Sequence, residues 1–125
     1  MKVLECSSQG DKRFSALYAK LKVDDKIDTI ENWYQLAKRF GDSPPPKTWR
    51  EAKGKRPTHI EWKGKKYELQ YLTLFYNHLW ELYLDQNPEL HKVLLEYDEF
   101  TDMFSKPWMN SQAQAIKIYK DKKLI

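Results

Sequence analysis

A single cysteine, Cys6, is too few for a disulfide framework or a thiolate metal site. It falls in a stretch that reads as a strand, where a lone thiol serves as a small buried side chain rather than a nucleophile. The three histidines, His59, His78 and His91, have no zinc spacing with it, so neither a metal nor a cofactor is expected. Glycine is sparse too, at four residues. G-x-G-x-x-G, the P-loop and G-x-S-x-G are all absent, which leaves dinucleotide-binding, nucleoside-triphosphatase and nucleophile-elbow chemistry without their usual loops. No run approaches the roughly 20 apolar residues that cross a bilayer. The opening MKVLECSSQGDKR has no apolar signal-peptide core, and the chain reads as soluble and cytoplasmic.

What remains is carboxylates, amides, cations and rings. With 125 residues, the expected organisation is a single domain over 1–125, large enough for one core but not for a substrate domain added to a cofactor domain. Hydrophobic residues at 41% and aromatic residues at 14% describe a folded globule. Five Trp and eight Tyr are the unusual part. Such rings fill cores, and their polar tips also suit stacking on a base or a ribose. The net charge of +4 fits an anionic partner without demanding one. Two small basic clusters, Lys53, Lys55 and Arg56 and then Lys63, Lys65 and Lys66, read as solvated faces.

Periodicity places the elements. KVLEC (Lys2 to Cys6) and FSALYAKLKV (Phe14 to Val23) alternate as strands around a loop, SSQGDKR, and Asp24-Asp25 turns the chain towards Ile27. Asp28 then reads as an N-cap, with Glu31 in a capping-box variant, and the helix runs to about Phe40, stopped by Gly41. Its apolar face carries Ile30, Trp33, Tyr34, Ala37 and Phe40; its polar stripe carries Glu31, Gln35 and Lys38. Pro44 to Pro46 form a stiff connector, and Thr48-Trp49-Arg50-Glu51 is a capping box closed by Gly54. His59 to Leu69 reads as a hairpin about Lys63-Gly64. A strongly amphipathic helix spans Tyr71 to Asp85, and Asn87-Pro88-Glu89 opens another through Leu94 and Leu95. Phe100 to Trp108 reads as loop, and Asn110 as the cap of a last helix carrying Ala113, Ile116 and Tyr119. The class is α+β, mostly helical, with small antiparallel strands and hairpins.

This residue set suits cleavage of a glycosidic bond. Breaking a bond at an anomeric carbon builds positive charge on the sugar, which a fixed carboxylate stabilises while activating water. Glu31 is the candidate, although its position as a capping-box partner explains it equally well.

The order of segments resembles the NADAR superfamily, the NAD- and ADP-ribose-associated proteins that include N-glycosidases of the YbiA type. Arg13-Phe14-Ser15 stands where those proteins have an early Phe-Ser. Thr29-Ile30-Glu31-Asn32-Trp33-Tyr34-Gln35-Leu36-Ala37-Lys38-Arg39-Phe40 is similar to their Thr-x-Glu-His-Tyr-Phe-Gln-x-x-Lys-Phe signature. Leu84 to Leu90, Leu94-Leu95 and Asn110 to Lys117 follow in the family's order. Asn32 departs from the family's histidine, and the loop before the last segment is shortened to Asp102 to Trp108.

The resemblance implies a pocket for an ADP-ribose-like ligand, with Glu31 as the catalytic carboxylate in N-glycosidic hydrolysis. Arg13, Phe14, Ser15, Tyr34, Gln35, Lys38, Trp108 and Asn110 would bind the substrate. In that pocket Gln35 orients ribose hydroxyls or Glu31, and Lys38 pairs with a phosphate or keeps Glu31 ionised. The expected partner is a nucleotide, an ADP-ribose-like small molecule or an ADP-ribosylated nucleic acid, with no membrane and no defined oligomeric state. Two other classes compete: a non-catalytic nucleotide or nucleic-acid binder using a basic, aromatic-rich pocket or surface, and a structural oligomer joined through surplus aromatics. Glu31 inside a concave pocket with Gln35 and Arg13 favours the enzyme. Exposed beside a flat basic aromatic surface, it favours the binder.

Overall fold

The structure, a computed structural model, describes residues 2–102 and 111–125. Trp108 and Asn110, both expected to bind substrate, lie outside the described residues.

Strand β1 (Val3–Glu5) leads through a 3-10 turn, Lys12–Phe14, to a hairpin of β2 (Lys20–Val23) and β3 (Lys26–Thr29). The first half of the expected strand from Phe14 is therefore not extended. Ser15 O accepts from Tyr18 N and Ala19 N, which folds residues 15–19 into tight turns, and Phe14 is drawn wholly into the core. Helix α1 (Ile30–Leu36) follows. Its cap is Thr29, whose side chain accepts from Asn32 N, and not Asp28. Asp28 belongs to β3, and its Oδ1 takes Asn32 Nδ2 at 2.7 Å. Asn32 is thus absorbed into the helix start.

Helix α1 also ends four residues earlier than its periodicity predicts. Lys38–Arg39 forms strand β4, pairing antiparallel with β5 (His59–Trp62), which in turn pairs with β6 (Lys65–Glu68). The carbonyls at the helix end are captured from outside: Glu61 N donates to Ala37 O, and Arg39 Nη1 donates to Leu36 O at 2.7 Å and to Lys38 O at 2.9 Å. These partners outcompete continued helical bonding.

Helix α2 (Trp49–Ala52) opens as expected, Glu51 Oε2 accepting from the backbone N–H of Thr48 and of Lys47. The hairpin turn at Lys63-Gly64 has positive φ at both residues, the left-handed pair that a two-residue hairpin needs. Helix α3 (Leu72–Gln86) buries Phe75, Tyr76, Leu79, Trp80, Tyr83 and Leu84. Asn87 does not cap the next turn; its Nδ2 donates back to Tyr83 O, and α4 (His91–Leu95) begins after a 3-10 turn. The first two residues of the expected Phe100–Trp108 loop belong to strand β7 (Glu99–Thr101), paired in parallel with β1 in register Val3 to Glu99. Helix α5 (Gln112–Tyr119) is capped by Ser111.

The α+β class holds, with the parallel β1–β7 pair added to its antiparallel sheets. Trp80, Leu79 and Leu84 of α3 meet Phe14, Leu21, Ile30, Ile60, Leu94 and Ile116, so every layer contributes a fully buried side chain to one cluster. Among the described residues, no helix is long and apolar enough to cross a membrane.

Cys6 follows β1 and is fully buried, its thiol directed at Leu4 O. Burial, then the charges of Asp102, Glu5 and Asp11, pushes the thiol up to about 12. Since the thiolate is the reactive form, the native protein should resist iodoacetamide at pH 8 under conditions that label the urea-unfolded chain completely. Equal labelling of the two would contradict this environment.

Candidate functional site

A cavity of about 760 Å³ opens between α1, the loop at residues 15–17, the segment 53–57 and the start of α3. Its wall is built around Glu31 and Gln35, one turn apart on α1. The loop locks this wall from the other side. Glu31 N donates to Ala16 O at 3.0 Å, and Ala16 N donates to Gln112 Oε1 at 2.7 Å, so α1, the loop and α5 hold one another.

Gln35 Nε2 donates to Glu31 Oε1 at 3.0 Å. That bond fixes the amide's orientation, because turning it over would set two oxygens against each other. The remaining oxygen, Gln35 Oε1, is buried and accepts no hydrogen bond among the described residues, in a residue only 5% exposed.

Lys38 reaches the same cavity from β4, not from the helix. It is 6% exposed, with Nζ 3.3 Å from Lys55 O, 3.5 Å from Ala52 O and 5.3 Å from the centre of the Tyr34 ring. Burial lowers its pKa, and the Glu31 charge opposes that shift. Tyr34 is wall and not a free platform. Its ring stacks on Phe75 at 6.3 Å and meets Tyr76 edge-on at 4.9 Å.

The folded state of a buried lysine with a lowered pKa binds fewer protons than the unfolded state, between its own pKa and the ordinary 10.5. Stability therefore rises with pH across that window, and burial of the cation costs most below it. Urea unfolding of wild type and Lys38→Met at pH 7 and pH 10 should show wild type gaining on the variant at the higher pH. A difference that is flat or falls with pH would be inconsistent with a strained cation at this position.

Of the residues expected to bind substrate, Ser15, Tyr34, Gln35 and Lys38 line the cavity with Glu31. Arg13 and Phe14 do not. Arg13 is held by Asp11, its Nη2 2.7 Å from Oδ2 and its Nε 3.0 Å from Oδ1, and that partner lowers the Asp11 pKa. Phe14 has no exposure at all. In Arg13's place, the segment Lys53, Gly54, Lys55, Arg56 borders the cavity and makes it cationic on that side. This is the basic cluster that sequence pattern assigns to solvent. Thr73 of α3 and Gln112 of α5 also line the cavity, and no local signal marks either. Leu17, Leu69 and Leu72 complete an apolar side. No cluster of three His, Cys, Asp or Glu side chains able to hold a metal ion occurs among the described residues.

The arrangement is a carboxylate fixed by an amide, a buried ammonium beside it, and cations at one edge. Such a cavity can hold an anionic ligand against its cationic edge. No curated protein matches the chain. Residues 1–122 match the family model described as the DarT1-associated NADAR antitoxin, and the chain belongs to that family.

Proposed function

We propose that this member of the DarT1-associated NADAR antitoxin family is an N-glycosidase that releases ADP-ribose from an ADP-ribosylated or nucleotide-like substrate, with Glu31 as its catalytic carboxylate. The observation that carries this reading is the placement of Glu31 in a concave cavity, oriented by Gln35 and opposite a cationic edge. Glu31 and Gln35 stand together in the cavity as that reading requires, whereas Arg13 stands outside it.

The chemistry follows from the charges. As the bond between the anomeric carbon and the base nitrogen lengthens, positive charge grows on the ribose, and the Glu31 carboxylate stabilises it. Glu31 takes a proton from the attacking water, whose oxygen bonds to the anomeric carbon. The base leaves with the bonding electron pair and is reprotonated at nitrogen. Lys53, Lys55 and Arg56 border the cavity, and their charges would attract a pyrophosphate. An antitoxin built this way would oppose its toxin by removing a covalent mark.

The buried amine of Lys38 favours a second route through the same cavity. Its lowered pKa raises the neutral, nucleophilic fraction. Where the adduct sits on an exocyclic amine, the sugar ring can open to an imine. Lys38 Nζ then adds at C1, the base departs as its free amine, and water releases ADP-ribose and regenerates the lysine.

The test is incubation of the protein with ADP-ribosylated DNA, NAD and ADP-ribose, followed by mass spectrometry. Release of unmodified DNA and ADP-ribose supports the glycosidase. Retention of ligand without cleavage assigns the cavity to sequestration, and the absence of both cleavage and retention overturns the reading. Addition of borohydride during turnover separates the routes, since only the Lys38 imine is trapped as a covalent protein adduct.

A further inference from the structure

Strand β6 (Lys65–Glu68) is the outer strand of the sheet ordered β4, β5, β6, and every one of its residues is exposed. The turn at Lys63-Gly64 is closed by Trp62 and Lys65, which face each other across the hairpin. In a two-residue hairpin the closing pair exchanges its backbone bonds. Lys65 and Tyr67 therefore turn their N–H and C=O groups towards β5, and Lys66 and Glu68 turn theirs outward. The edge thus offers a row of backbone donors and acceptors, the template on which another strand adds.

The side chains beside that row complement one another. Glu61, opposite Lys66 on β5, is held by Arg39 at 3.4 Å and lies 3.8 Å from His59. Among the described residues, neither Lys66 nor Glu68 forms an ion pair. Lysines on an edge ordinarily keep a second strand away, but the register decides whether they do so here. A two-fold axis that continues a sheet stands perpendicular to it and leaves each side chain on its own face, so only registers centred on a residue are open. Centres at Lys65, Lys66 or Glu68 would set a charge against its own copy. Tyr67 alone of these residues is uncharged, and a centre there brings Lys66 opposite the partner's Glu68. Those are the same residues whose backbone groups point outward.

We propose that β6 is the joint of a symmetric homodimer, a second copy adding antiparallel to this edge with Tyr67 beside the partner's Tyr67. Lys66 and the partner's Glu68 exchange backbone hydrogen bonds and pair their charges on one face, and the tyrosine rings meet on the other. Two separate sheets become one. The footprint is small, so the dimer is weak and its population follows concentration. Leu69, the next residue, lines the candidate cavity, which sets the joint at the apolar side of each site. The proposal does not depend on what that cavity binds or cleaves.

Sedimentation equilibrium on wild type should show monomer passing reversibly to dimer as concentration rises, with amide exchange at Lys66 and Glu68 slowing in step. Lys66→Glu and Glu68→Lys, each alone, should abolish the dimer, and the two together should restore it. Both positions are exposed, so the fold should survive, as circular dichroism will check. The register is read with Tyr67→Cys. Facing residues without backbone bonds between them lie about 4.5 Å apart at Cα, within reach of a disulfide, and the native Cys6 is wholly buried. Mild oxidation should cross-link Tyr67→Cys and spare Lys66→Cys. The proposal is overturned by a protein that stays monomeric at every soluble concentration, by a dimer indifferent to the single reversals or not restored by the double one, or by equal cross-linking of the two cysteine variants. A monomer whose edge amides are protected by an added DarT1-type toxin also overturns it, since the edge then belongs to that partner.

Discussion

Glu31→Gln is expected to lower kcat about 10³-fold while leaving ligand affinity within a few-fold of wild type. The substitution preserves size, and the new amide oxygen can still accept from Gln35 Nε2, so the bond that now measures 3.0 Å survives. What disappears is the negative charge. In the proposed reaction that charge matters only once positive charge develops on the ribose, so the loss belongs in kcat and not in KM. Removing it also leaves the Lys38 ammonium unopposed, which should hold an anionic ligand at least as well as before. The ordinary role of an acidic residue in a first helical turn gives a different signature, a change of a few tenths to about 1 kcal/mol in stability and none in turnover. Single-turnover kinetics on ADP-ribosylated DNA separates the two. Turnover within a few-fold of wild type would remove Glu31 from the chemistry.

Trp80→Ala should lower the unfolding free energy by about 3–5 kcal/mol, against totals of roughly 5–15 kcal/mol for proteins of this kind. Trp80 is the largest of the fully buried side chains among the described residues and meets Tyr83 edge-on at 5.5 Å. It sits on the helix that carries Leu72, Thr73 and Tyr76 into the cavity, so the hole left behind loosens the site as well as the core. Trp80→Phe, which keeps a ring there, should cost less than half as much. Urea midpoints give the comparison, and a loss below about 1 kcal/mol for the alanine variant would mean that the packing around Trp80 is looser than its burial indicates.

The contrast between residues explains how much could be seen before folding. Helix α3 was legible because its apolar positions recur over fifteen residues and all answer to one core. The hairpin at Lys63-Gly64 and the Glu51 capping box were legible because each is decided by its nearest neighbours. Lys38–Arg39 was not, because its sequence continues the helical pattern and only β5, some twenty residues on, offers better partners. Glu99–Thr101 was hidden for the same reason at greater range, three residues being too few to show a period. The site divides in the same way. Glu31 and Gln35 are neighbours through helix spacing, and Lys38 joins them even though the helix expected to place it has ended. Arg13 stays outside the cavity because Asp11, two residues away, claims its guanidinium. The cations at Lys53 to Arg56 look like any solvated cluster until α2 packs beside α1 and turns them to the cavity.

The parallel pair of β1 and β7 carries a consequence for the order of assembly. Val3 lies beside Glu99, Tyr83 OH donates to Arg13 O, and Ala16 N donates to Gln112 Oε1, so the first sixteen residues make several of their contacts with partners 70 to 96 residues further along the chain. Closing loops of that length is slow compared with forming the helices and hairpins between them. During synthesis the middle of the chain can fold as it emerges, whereas the amino-terminal segment must remain unsettled until Gln112 has left the ribosome. The loop that locks Glu31 belongs to that segment. A partly made chain therefore has no ligand site, and labelling of Cys6 in nascent chains stalled before and after Gln112 should fall sharply between the two lengths.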